Sequence, residues 1–220
     1  MTLATAPDSA AVAWSADPYG TALAEGRGPL FLRRADGRRL RLDVERWCAT
    51  PDAADRTVLR RCAGTVLDVG CGPGRMVIAL ARADRPALGI DTAPAAVART
   101  RGDGGAALLR SVFDELPGEG WWGSVLLMDG NVGIGGDPAA LLRRIRRLVT
   151  PGGLLLAEAD AADVDERFEV RLDDGTAPAG PSFPWARVGQ EALHAHATRT
   201  GWTPAGRWTV QGRAFLAFQT

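Results

Sequence analysis

Residues Val66–Met76 read VLDVGCGPGRM. An apolar run leads into Gly70, Gly72 and Gly74, spaced G-x-G-x-G, with Asp68 two residues ahead of the first glycine. The glycines come after an expected strand and precede an expected helix. At such a junction backbone N–H groups and the positive end of the helix reach a ligand with no side chains in the way. A dinucleotide turn places its third glycine three residues beyond the second. In this chain it comes two beyond, at Gly74.

From Thr65 onward short apolar strands alternate with helices. The strands are TVLDVG, ALGID, AALLRSVF, WGSVLLMD and LLLAEAD. The helices are expected over 74–83, 94–101 and from Asp137, whose carboxylate caps a helix that starts at Pro138. The apolar face of that last helix is Leu141, Leu142, Ile145, Leu148 and Val149. The alternation gives an α/β fold with a parallel sheet covered by helices, which binds ligands at the carboxyl ends of its strands.

The flanks differ. Residues 1 to about 20 are rich in Ala, Ser and Pro and are expected to be loose at the start. Leu40, Leu42 and Val44 alternate with polar residues, the period of a half-buried strand. Asp36-Gly37 marks a hairpin, and a three-residue loop over 35–37 sets Leu32 opposite Leu40 and Leu30 opposite Leu42. A helix is expected over 52–62. After the core, RFEVRLDDG reads as an extra strand, GTAPAGPSFP as a loop and 188–200 as a helix. The end, RWTVQGRAFLAF, reads as a hairpin turning at Gln211-Gly212. The chain thus divides into an extension, 1–63, and a core, 64–220, with an insertion at 161–187.

Composition narrows the chemistry. Twenty-six basic residues balance twenty-six acidic ones, which removes any general attraction to nucleic acid or anionic membrane. Every basic residue is Arg, so Schiff-base chemistry and a Walker-type lysine are excluded. Cys48, Cys62 and Cys71 lack metal-ligand spacing, and no metal site is expected. An odd cysteine count excludes a full disulfide framework, and the start lacks a signal-peptide pattern. A cytoplasmic setting is expected, with no membrane span.

The LDVGCGPG stretch resembles the first motif of the class I S-adenosylmethionine-dependent methyltransferases. GID, SVFDELP, VLLMDGN and LLRRIRRLVTPGGLLLAEAD are similar to that family's later segments, in order, over about 66–160. The resemblance implies a Rossmann-like, doubly wound, mostly parallel seven-stranded sheet with a C-terminal antiparallel hairpin, here extended by an N-terminal β-hairpin and helix. It implies S-adenosylmethionine as cofactor, S-adenosylhomocysteine as product, and a small-molecule acceptor methylated on O, N or C, with specialised metabolism as one setting. The alternatives are an NAD(P)-dependent oxidoreductase on a similar sheet and a protein that binds the cofactor without catalysis. Assembly is expected as monomer or homodimer.

Carried onto this sequence, the cofactor contacts implied are Asp68, Gly70, Cys71, Gly72, Gly74, Asp91, Thr92, Ser111, Val112, Phe113, Asp129 and Gly130. Asp91 has two oxygens for a ribose diol. Family members commonly carry an acid where Ser111 stands, to meet the adenine amino group; Asp114 is a substitute three residues on. A hydroxyl acceptor needs a base. Asp129 and Asn131 are the catalytic candidates, with Glu158, Asp160 and His194 as further groups near strand ends. Tyr19, Asn131, Trp185 and His194 are the substrate-binding candidates, and the segments carrying Tyr19 and Trp185 are expected to act as a lid. Purely structural roles stand beside these: Asp68 and Asp91 as turn formers, Asn131 as a left-handed turn residue, and Trp121 and Trp122 as packing. Arg143, Arg144, Arg146 and Arg147 read as a solvated face.

Overall fold

The computed structural model describes residues 9–15 and 17–220. The chain is described from α1 (Ser9–Trp14) and α2 (Tyr19–Glu25) onward, so within the stretch expected to start loose residues 9–15 and 17–20 are ordered, and for residues 1–8 the expectation lies outside the described residues. The hairpin β1 (Phe31–Arg34) and β2 (Arg39–Arg41) comes next. Leu32 faces Leu40, and Leu42 N–H donates to the Leu30 carbonyl at 2.9 Å, the register of the three-residue loop. Gly37 takes φ 84° there, as a left-handed loop position requires.

The strand period does not extend to Val44. Asp43 accepts from the Arg46 N–H and starts α3 (Val44–Cys48) instead. Local capping overrides the alternation because the cap satisfies an otherwise unpaired donor. Next come α4 (Ala53–Leu59), held by an Asp52–Asp55 capping box, then β3 (Val66–Val69), α5 (Arg75–Ala81), β4 (Ala87–Asp91) and α6 (Pro94–Gly102). β5 is only Ala107–Leu109, shorter than AALLRSVF suggests. β6 (Trp122–Leu127) leads through a kinked 3₁₀ segment, Asn131–Gly136, to α7 (Pro138–Leu148), where Asp137 caps the Ala140 N–H at 3.0 Å. β7 (Val149–Ala159), β8 (Asp165–Asp173), β9 (Pro178–Val188), α8 (Gln190–Arg199), β10 (Thr203–Val210) and β11 (Arg213–Gln219) complete the chain.

Seven strands form the main sheet in the order β10-β11-β7-β6-β3-β4-β5. The five from β7 to β5 are parallel, and the β10–β11 hairpin adds antiparallel to β7. Chain order reverses between β3 and β6, so a crevice opens at their carboxyl ends. The sequence places the helix face of α7 correctly: Leu141, Leu142, Ile145 and Leu148 are fully buried.

The second sheet was not legible as a unit. β2-β1-β8-β9 is one four-stranded antiparallel sheet, joining the N-terminal hairpin to the insertion. Leu32 pairs with Leu172, and the buried Asp173 accepts from Arg33 and Arg39 at 3.3 and 3.1 Å. The stretch GTAPAGPSFP, expected as a loop, supplies part of β9. Its three prolines, Pro178, Pro181 and Pro184, are tolerated because β9 is an edge strand, where a missing N–H need not break a second ladder. This sheet and α1–α3 have their own core, with Leu23, Leu30, Leu32, Val170, Leu172 and Phe183. They form a cap over the crevice. Trp122 is buried as expected; Trp121 is 82% exposed and packs against little, because the turn before β6 points it outward.

Candidate active site

A cavity of about 310 Å³ lies at the carboxyl ends of β3, β4 and β6, beneath the cap. Its lower wall is the β3–α5 turn. Gly70 and Gly72 have φ of 70° and 54°, and a Cβ on Gly70 would sit 2.7 Å from the Asn131 amide nitrogen. Backbone is therefore what faces the cavity there. Gly74 serves differently. It starts α5 with φ 87°, a Cβ would lie 2.5 Å from Thr100, and it is outside the lining. Gly130 is likewise outside the lining and is the left-handed residue that starts the 3₁₀ segment.

Two carboxylates face this wall. Asp91, at the end of β4, accepts from the Gly72 N–H at 2.8 Å and from the Ala93 N–H at 2.9 Å. Burial raises its pKa against the pull of those N–H groups. Asp68 is 2% exposed, and among the described residues no donor bonds to its carboxylate. Burial, reinforced by the nearby Asp129, pushes it up to about 7. Thr92, Cys71, Ser111, Val112 and Phe113 also line the cavity. Cys71 is buried, and burial holds its thiol protonated. Asp114 does not reach the cavity; it accepts from the Ser111 N–H at 2.9 Å, which tightens the turn.

The catalytic candidates are both engaged. Asn131 donates its amide to the carbonyls of Val69 and Gly70 at 2.8 and 2.9 Å, fastening the loop after β6 to the glycine turn. Asp129 accepts from Arg75 at 2.7 Å and lies 3.0 Å from Arg46. It belongs to a buried network in which Arg75 also meets Asp55 at 3.1 Å, and Arg213 meets Asp55, Asp52 and Glu158. Burial and Glu158 push Asp129 above the ordinary carboxylate range against the pull of Arg75. Burial works the same way on Glu158, but Arg213, at 2.7 Å from both its oxygens, holds it below its usual value.

Asp160 is also spent: Arg187 grips it at 2.8 and 2.9 Å. His194 is a correction. Helix α8 turns Leu193, His196 and Ala197 inward, so His194 is exposed and outside the cavity. His196 is buried and 3.0 Å from Asp165, a tie between α8 and β8.

The upper wall is aromatic. Trp14 meets Tyr19, Phe183 and Trp185 at ring-centroid distances of 4.9, 5.5 and 6.2 Å. Tyr19 is 4% exposed, and burial beside Asp91 holds its phenol protonated. Tyr19 and Trp185, singled out in the sequence, therefore both border the cavity; Trp14, Leu42, Trp47, Arg75, Ile134, Phe183 and Pro184 were missed. Arg75 carried a signal. An arginine at the first position of a helix opposes the helix dipole, so something else must hold it there.

Comparison with known proteins agrees with this geometry. Residues 66–153 match the family model described as methyltransferase domain. No curated protein matches the chain in sequence. A methyltransferase from Bacteroides fragilis, solved with S-adenosyl-L-homocysteine, is 21% identical with a TM-score of 0.77, over 94% of this chain and 95% of that one. CcbJ methyltransferase from Streptomyces caelestis is 14% identical with a TM-score of 0.65, covering 96% and 98%. The 1,6-didemethyltoxoflavin-N1-methyltransferase of Burkholderia thailandensis is 16% identical with a TM-score of 0.57, covering 76% and 78%. The structural likenesses show the fold, and the domain match gives the class. Residues 66–153 thus carry a methyltransferase domain, on a fold that the chain shares with S-adenosylmethionine-dependent methyltransferases. The Bacteroides and Burkholderia structures both hold S-adenosylhomocysteine, the product form of S-adenosylmethionine.

Proposed function

We propose that the enzyme methylates a small-molecule acceptor with a flat, apolar body, held against the wall of Trp14, Tyr19, Phe183 and Trp185. The observation that carries this is the shared cavity: the glycine turn and Asp91 at one end, four touching aromatic rings at the other. Flat apolar groups gain both burial and ring contacts on such a wall. That the Burkholderia protein is a 1,6-didemethyltoxoflavin-N1-methyltransferase, solved with 1,6-didemethyltoxoflavin bound, supports the reading.

The residues suit the cofactor. A buried carboxylate without a protein donor, Asp68, is fit for an ammonium group. Asp91 presents its remaining lone pairs to a ribose diol, the Gly70–Gly72 backbone admits the chain between them, and Thr92, Ser111, Val112 and Phe113 face the base. Cys71 fills the turn as a neutral side chain. Bound S-adenosylmethionine supplies an activated methyl group. The protein's part is then alignment: the cap rings orient the acceptor and exclude water. Asn131 and Asp129 act by fixing the floor, since both are spent on the glycine turn and on Arg75.

The test uses methyl-tritiated S-adenosylmethionine and an extract divided into metabolites, protein and nucleic acid. Label is expected in the metabolite fraction. Label confined to protein or nucleic acid would overturn the proposal.

A further inference from the structure

The arginine run on α7 reads in sequence as a solvated face, and Arg143, Arg146 and Arg147 are exposed. Arg144 is not: only 14% of its side chain is accessible. Its Nε donates to the Val112 carbonyl at 2.8 Å, and its Nη2 donates to the Asp114 carbonyl at 2.6 Å. The same guanidinium donates to both oxygens of Glu119, at 3.0 and 2.5 Å, and holds that carboxyl down to about 2. Glu119 in turn accepts from the Leu116 N–H at 3.0 Å. One side chain thus gathers residues 112, 114, 116 and 119.

The segment's other ties are the burial of Val112 and Leu116 in the main core and a bond from the Trp122 indole N–H to the Pro117 carbonyl at 3.1 Å. β5 ends at Leu109 and is the edge of the main sheet, so no further strand braces the chain beyond it. Within the turn the bonds are local, from Ser111 to Asp114 and from Phe113 to Ser111. Ser111, Val112 and Phe113 line the cavity, and Asp114 faces away from it. With no carboxylate among the described residues of this loop facing the cavity, discrimination falls to the Ser111 hydroxyl, backbone groups and the Phe113 ring, and these depend on loop shape.

We infer that Arg144 is a positioning residue for base recognition: its fork fixes the 111–119 loop from outside the cavity so that the loop selects adenine. The inference rests on the proposed placement of the adenine against residues 111–113. A guanidinium suits the task because its planar donors serve several acceptors at once, which an ammonium cannot do in the same geometry.

The experiment is calorimetry of S-adenosylhomocysteine and of S-inosylhomocysteine, which carries a 6-oxo group in place of the amine. Wild type, Arg144→Ala, Arg144→Lys and Glu119→Gln are compared, each verified as folded by circular dichroism. Wild type is expected to prefer the adenosyl ligand. Arg144→Ala is expected to lose about ten-fold in affinity for it, the scale of losing a charged hydrogen-bonding group, and most of the preference. Arg144→Lys and Glu119→Gln are expected to fall between, because each leaves part of the clamp. Unchanged affinity, or lost affinity with the preference intact, overturns the role given to Arg144. A wild type that binds both ligands equally overturns the adenine placement instead. A wild type that binds neither overturns the cofactor reading. Should Arg144→Ala not fold, Arg144→Lys and Glu119→Gln decide by the same two readings.

Discussion

The two ends of the cavity are made from different materials. At the cofactor end the ligand-facing surface includes the backbone of a turn whose Gly70 and Gly72 take left-handed φ, with Asp68 and Asp91 set beside it. At the cap end the surface is side chain, four rings supplied by α1, α2 and β9. A backbone surface is fixed by local conformation and is the same for any ligand sharing one skeleton. A ring surface is fixed only by how distant segments pack, so it can vary while the fold stays. The difference separates a shared cofactor from an individual acceptor.

The seam between the two ends offers the largest perturbation. Beneath the cavity, Arg213 joins Asp52, Asp55 and Glu158, while Arg46 of α3 reaches Asp129 and Glu158. Arg213→Met removes the charge that pairs with Asp55, which is fully buried, and with Glu158, which is nearly so. The expected cost is about 3–5 kcal/mol of stability, the scale for stranding buried charge, read by urea unfolding. A loss under about 1 kcal/mol would mean that the two ends stand without this floor.

Gly133 tests the cap alone. A Cβ there would come within 2.2 Å of the Ala186 carbonyl and 2.7 Å of the Trp185 indole nitrogen. Gly133→Ala is expected to cost about 1–3 kcal/mol, toward the upper end because a backbone carbonyl has little freedom to yield. Hydrogen exchange should show β8 and β9 losing protection while β3 and β4 keep theirs. Equal loss in both would merge the two regions into one unit.

The same contrast explains what was legible in the sequence. The main sheet showed because each strand and helix carries its own period, and the glycine turn carries its own spacing. The hairpin register showed because Leu32 and Leu40 must share a face. The cap sheet did not show, since its halves lie far apart in the chain and β9 is masked by prolines. Trp14, Trp47 and Phe183 were missed for the same reason: nothing local in the sequence tells a ring that closes a cavity from one that fills a core. Asp129 and Asn131 sat where expected, but their partners, Arg75 and the carbonyls of Val69 and Gly70, come from another strand end. His194 was misjudged because helix phase, not chain position, decides which side faces inward.

Asp91 sharpens the backbone end. Its carboxylate both shapes the turn, through the Gly72 N–H, and faces the cavity. Asp91→Ala is expected to weaken S-adenosylhomocysteine binding by about 1–3 kcal/mol, the value of hydrogen bonds to a charged group. Calorimetry on the folded variant reads it directly, and an unchanged dissociation constant would take Asp91 out of the ligand contacts.

The smallest effect is a titration, and it should appear at one end only. Asp68 is raised to about 7 by burial, with Asp129 adding repulsion. In the unfolded chain an aspartate titrates near ~3.9. Between those values the folded protein holds a proton that the unfolded chain has released. Stability without cofactor should therefore fall as pH rises from about 4 to about 7. Ligand binding should run the other way. If Asp68 pairs with the ligand's ammonium it must be ionised, so affinity should rise with pH and level off above about 7. Below that point the slope approaches about ten-fold per pH unit, equivalent to ~1.4 kcal/mol. Calorimetry of S-adenosylhomocysteine from about pH 5.5 to about pH 8 measures it, with Asp68→Asn as the variant that should lose the slope along with part of the affinity. The cap rings carry no group that titrates in this range, so binding of an apolar acceptor to the saturated enzyme should be flat over the same interval. A slope that survives in Asp68→Asn would assign the proton to another group and remove the electrostatic half of the contrast between the two ends.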